Sequence, residues 1–127
     1  MVRVEAAPMT AVLYGIKNCD TVKKARAWLD THHIEYRFHD FRSDGLELKK
    51  VQSWLQELGI EALINKRGTT WKQLDEKTRN NLTANNAAAL IMVQPTLIKR
   101  PLLDIGHQRC VGFSETMYRD IFKTHTL

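Results

Sequence analysis

A chain of 127 residues with 43% hydrophobic content has the size and the apolar material of one globular domain. No run approaches the roughly 18 consecutive apolar residues of a membrane span, and the first ten residues lack the apolar core of a signal peptide. A net charge of +5 favours anionic partners, but the Lys and Arg residues are spread along the chain, as on a solvated surface rather than a nucleic-acid track. A single cytoplasmic domain over residues 10–127 is expected, with no membrane or nucleic-acid partner and with residues 1–9 as a leader outside the fold.

The apolar run Ala11-Val12-Leu13-Tyr14, closed by Gly15, predicts a buried parallel strand. A loop carries the chain to Cys19. From Asp20 to about His32, Val22, Ala25, Trp28 and Leu29 recur at helical spacing, and Tyr36 and Phe38 then alternate along a second strand over 35–41. This βαβ opening implies a parallel pair. Leu48, Val51, Leu55 and Leu58 predict a helix stopped at Gly59, followed by a short helical turn near 62–64 and a polar loop over 65–68. Thr70 and Gln73 have the spacing of a capping box, and a further helix is expected over 86–93, ended by Pro95. The runs 96–98 and 102–103 read as short strands around Pro101, and 109–113 as another strand after a turn at Gly106-His107. Ser114 is placed to cap a closing helix with Met117, Ile121 and Phe122 on its apolar side. The order predicts an α/β fold with one mixed sheet.

Two cysteines, Cys19 and Cys110, lie far apart and form no Cys-x-x-Cys pair, which argues against a disulfide scaffold and a structural zinc site. The histidines are scattered or adjacent, so no metal is expected. Cys19 stands between a strand end and a helix start, where free amide N–H groups and the helix dipole favour an anionic sulfur. Lys17 adds a nearby positive charge, whereas the alternative is a small buried hydrophobe. A phosphatase loop is excluded, because the residue six positions after Cys19 is Ala25 and not arginine. Val22 occupies the position of a second redox cysteine, so disulfide chemistry at Cys19 needs a thiol from elsewhere, such as glutathione. Cys110 is the internal candidate, with sheet packing as its alternative role. Arg100, held before Pro101, offers a planar fork for a carboxylate or oxyanion, against the alternative of an ordinary exposed arginine.

Residues 14–21 (Tyr-Gly-Ile-Lys-Asn-Cys-Asp-Thr), 67–71 (Arg-Gly-Thr-Thr-Trp), 98–103 (Ile-Lys-Arg-Pro-Leu-Leu) and 112–115 (Gly-Phe-Ser-Glu) together resemble the arsenate reductase-like (ArsC) family of the thioredoxin superfamily. The combination is most similar to its YffB subgroup. The resemblance covers nearly all of residues 10–125 and implies a thioredoxin-like domain, a mixed four-stranded sheet with a helical insertion. It implies that Cys19 is the nucleophile, that Pro101 is a cis proline facing it, and that Arg100 binds the oxyanion or glutathione. Arg67, Lys17, Asn18 and Thr21 complete the expected substrate or glutathione site. The implied activity is a glutathione-dependent thiol reductase acting on an oxidised thiol or small oxyanion, with glutathione as co-substrate. True arsenate reductases carry two further arginines, and Asn65 and Gly112 stand at those positions here, with Arg67 as the candidate substitute. Spx-type regulators share the implied fold and bind RNA polymerase, so a non-catalytic regulator is the alternative; Val22 breaks the Cys-x-x-Cys switch that some of them carry.

Overall fold

The computed structural model describes residues 11–123, so the leader expected over 1–9 lies outside the described residues. Ala11–Gly15 (β1) is buried throughout. Asp20–Thr31 (α1) buries Val22, Ala25, Trp28 and Leu29, the stripe expected from their spacing. Tyr36–Asp40 (β2) then runs parallel to β1, with Ala11 opposite Tyr36 and Gly15 opposite Asp40. A helical insertion follows: Leu48–Leu58 (α2), Ile60–Leu63 (α3), Thr69–Gln73 (α4), Glu76–Asn80 (α5) and Ala84–Val93 (α6). Leu102–Asp104 (β3) and Arg109–Val111 (β4) form a hairpin, and Glu115–Lys123 (α7) closes the described chain. The sheet order is β2-β1-β3-β4, parallel between β1 and β2 and antiparallel elsewhere. This is the mixed four-stranded sheet with a helical insertion expected of a thioredoxin-like domain.

Successive strand residues face opposite sides of the sheet. Val12, Tyr14, Leu102 and Val111 pack toward Val51, Trp54 and Ile91 of the insertion. Leu13, Leu103 and Cys110 pack toward Val22 and Leu29 of α1 and Tyr118 and Phe122 of α7. The strand directions also bring distant segments to one edge. Both β1 and β2 end there, β3 begins there with Leu102 opposite Tyr14, and β4 ends there with Val111 opposite Leu102. Cys19, Pro101 and Gly112 therefore converge on the same edge although the chain separates them widely.

Several local expectations are corrected. Thr70 caps nothing: Gly68 precedes α4, and the Thr70 hydroxyl instead hydrogen-bonds the Thr96 hydroxyl at 2.7 Å. Residues 95–97 form a 3-10 turn rather than a strand, and only Ile98 keeps a β-bridge, to Ile64. The helix α5 is additional, started by Asp75, whose carboxylate accepts the Thr78 N–H at 2.7 Å. The capping box belongs to α6, where Thr83 and Asn86 bond each other's backbone N–H.

Gly15 ends β1 against Val22 of α1. A Cβ added there would lie 2.7 Å from Cγ2 of Val22, a fully buried and β-branched side chain with no room to turn away. Gly15→Ala is therefore expected to lower unfolding free energy by about 1–3 kcal/mol. Urea denaturation measures it, and an unchanged midpoint would show that α1 retreats freely from the sheet.

Candidate functional site

Cys19 is the N-cap residue of α1, with extended backbone (φ −130°, ψ 120°). Its carbonyl accepts the Lys23 N–H at 2.9 Å and so opens the helical ladder. Its side chain makes no capping hydrogen bond, unlike the oxygen of a serine or aspartate cap, so the first-turn N–H groups stay available to an anion beside the sulfur. The thiol is half-buried, at the border of the two core layers.

The loop that carries Cys19 is tied to the end of β2 through Asp40, the buried charged side chain of the described residues. One carboxylate oxygen accepts the Lys17 N–H at 3.1 Å, and the other accepts Arg42 N–H at 2.7 Å and Ser43 N–H at 3.3 Å. Burial opposes the charge on Asp40, but these three donors, with the Lys17 charge, prevail and hold its carboxyl below the ordinary value of 3.8.

Across the cleft, the Arg100–Pro101 peptide bond is cis, as the resemblance implied, and Pro101 is buried. The segment before it is fastened to the insertion by two backbone hydrogen bonds, Asn65 N–H to Leu97 O at 2.8 Å and Lys99 N–H to Leu63 O at 2.7 Å, on either side of the Ile64–Ile98 bridge. Behind it, Gly112 N–H donates to Pro101 O at 2.8 Å. Arg100 points one nitrogen, Nη1, at the Thr96 and Ile98 carbonyls, at 2.6 and 3.3 Å, while its buried Nε has no protein partner.

A cleft of about 480 Å³ joins these parts. Cys19, Thr21 and Arg100 line it, together with Asn65, Lys99 and the 111–114 segment. Of the other residues expected at the site, Lys17 and Asn18 are exposed beside the Cys19 loop but do not line the cleft. Arg67 lies in a second cleft of about 380 Å³, which shares Asn65 and Lys99 with the first. Sequence reasoning passed over Lys99, which lines both clefts. The signal was the alternation of a buried Ile98 with a lysine beside it, in a run already marked by Arg100-Pro101.

Cys110 takes no part in the cleft. Its neighbour Val111 faces the cleft, so strand alternation turns Cys110 to the α1 and α7 side. Burial there pushes its thiol up to about 11.

The ArsC family profile matches residues 14–121. An uncharacterized protein of Haemophilus influenzae is 46% identical over 110 residues, covering 87% of this chain and 96% of its own. The global transcriptional regulator Spx of Lactiplantibacillus plantarum is 32% identical over 110 residues, covering 85% and 83%. Among solved structures, the YffB protein superposes with a TM-score of 0.83 at 43% identity, covering 87% of this chain and 96% of its own.

A carboxyl held below its unfolded value adds stability above that value, and this stability is lost as pH falls through the folded-state value. Wild type is thus expected to lose stability more steeply than Asp40→Asn on acidification below about pH 4. Urea midpoints across that range test it, and equal slopes would remove Asp40 as the acid-sensitive clamp.

Proposed function

The chain belongs to the ArsC family, and on that premise we propose that it is a cytoplasmic thiol reductase that uses Cys19 as its one nucleophile and glutathione as its co-substrate. The observation that carries this reading is the separation of the two thiols. Cys19 opens into a cleft with cations around it, and Cys110 faces the other side of the sheet with its proton firmly held. A resolving thiol must then come from solution, which a reducing cytoplasm provides.

In the first step the Cys19 thiolate attacks the glutathione sulfur of a mixed disulfide between substrate and glutathione. The new Cys19–glutathione S–S bond forms, the old S–S bond breaks, and the substrate leaves as a thiolate that takes a proton from water. In the second step the thiolate of a free glutathione attacks the glutathione sulfur on Cys19. Oxidised glutathione departs and Cys19 returns as thiolate. The balance is one mixed disulfide and one free glutathione converted to the substrate thiol and oxidised glutathione: the substrate sulfur is reduced, the sulfur of the free glutathione is oxidised, and the other glutathione sulfur stays at the disulfide level. In both steps the reacting sulfur is the one at the N-cap of α1. Thr21, which lines the same cleft as Cys19, would offer its hydroxyl to the thiolate charge.

Arsenate reduction fits less well. Gly112 has a φ of +81°, in the left-handed region that favours glycine, and Arg67 lies outside the Cys19 cleft. The similarity to Spx favours a second reading, a regulator that binds RNA polymerase without catalysis. Val22, fully buried under Gly15, removes the paired-cysteine switch from that reading.

Intact mass spectrometry after incubation with oxidised glutathione near neutral pH is expected to show one glutathione on wild type and on Cys110→Ser, and none on Cys19→Ser. Reduced glutathione should then strip the adduct. An unmodified wild type, or an adduct on Cys19→Ser, would refute the reductase reading; polymerase co-purification that survives Cys19→Ser would favour the regulator.

A further inference from the structure

We infer that the Cys19 cleft and the Arg67 cleft are two halves of one trough, in which Lys99 and Arg67 bind the carboxylate arm of an extended, peptide-like disulfide or thiol. The inference rests on the reductase reading for the identity of the sulfur compound and adds where and how its far end is held.

The two clefts, about 480 and 380 Å³, meet at Asn65 and Lys99, which line both. Either alone is within the range that encloses a drug-sized ligand, and a single tetrahedral oxyanion leaves most of it empty. The trough therefore suits an elongated molecule, with its sulfur at Cys19 and its other end near Arg67.

Its charge points the same way. The Arg67 half contains Glu61, Lys66, Arg67 and Lys99. Lys66 is paired with Glu61 at 2.7 Å, so these two cancel. Neither Lys99 nor Arg67 has an ion-pair partner among the described residues, which leaves two uncompensated cations. Near the sulfur, Arg100 has Nη1 turned to the Thr96 and Ile98 carbonyls, so its fork is partly committed to the protein itself. The ammonium of Lys99 is the cation with no such commitment.

Lys99 is also held in place. Its backbone N–H is bonded to Leu63, and its Cε lies 3.5 Å from where a Cβ of Gly112 would be, so the aliphatic stem rests against the glycine. On the other wall the Asn65 carboxamide oxygen accepts the Arg67 N–H at 3.1 Å and fixes the turn from which Arg67 projects. A carboxylate between the two heads would gain charge-assisted hydrogen bonds from both.

The test is a titration of the 15N-labelled full chain with S-methylglutathione, which carries carboxylates but cannot exchange disulfides. Shift changes are expected at residues 65–68 as well as at 19–21. The dissociation constant should rise about tenfold in Lys99→Gln and in Arg67→Gln, whose stems are retained, while Lys49→Gln, an exposed lysine on α2, controls for net charge. Changes confined to 19–21, affinities indistinguishable from the Lys49→Gln control, or equal shifts with inorganic phosphate would overturn the carboxylate site. Because this ligand forms no covalent bond, binding in the trough together with an inert Cys19 in the mass assay would sink the reductase reading and leave the trough standing.

Discussion

The site depends on how closely α1 lies on the end of β1. Gly15 has no side chain, and Val22 fills the space its Cβ would take, so the first turn of the helix sits directly above the sheet edge. Only four residues separate Gly15 from the start of that helix, and Asp40 fastens the connecting loop through the Lys17 N–H. Cys19 therefore has little choice of position. It is held at the point where a helix presents free N–H groups and where the carboxyl ends of two parallel strands leave a crevice, the place where open α/β sheets bind ligands.

The opposite wall is built by a different device. The 3-10 turn at 95–97 leads through Ile98 to the cis bond at Pro101, and the two hydrogen bonds around the Ile64–Ile98 bridge bind this segment to the helical insertion. The insertion thus does more than cover the sheet. It delivers Asn65 to the Cys19 cleft beside Lys99 and Arg100, and Arg67 to the neighbouring cleft that shares Asn65 and Lys99 with it. Arg100 then serves partly as a brace, with Nη1 closing the 96–98 carbonyls from inside, while Lys99 carries an unspent charge.

Much of this arrangement was legible beforehand, for physical reasons that differ by element. The opening βαβ unit was readable because its apolar periods switch cleanly from strand to helix at Gly15, and Ser114 was readable as a cap because it accepts the Met117 N–H at 3.1 Å, a purely local bond. The Thr70 capping box failed because its hydroxyl finds Thr96, a tertiary partner that no local pattern announces. The helix α5 escaped notice because its five residues are all polar and supply no apolar period. At the site, Cys19 and Arg100 stood out by chemistry and by the resemblance. Lys99 did not, since only the folded 95–100 segment reveals which of two adjacent cations turns to the backbone and which lines both clefts.

Strand alternation also decides how the chemistry can be completed. Val111 looks into the cleft, so Cys110 must look away from it, and the layer it enters is closed by Leu103, Tyr118 and Phe122. Tyr118 beneath it is fully buried, with its hydroxyl unpartnered and its proton more tightly held than usual through burial and the nearby Cys110. An environment that penalises charge on both groups is poor ground for a thiolate, and bringing Cys110 to the cleft would require a one-residue slip of β4 that turns Val111 out of it. The fold consequently keeps Cys110 on the far side of the sheet from the cleft that Cys19 lines.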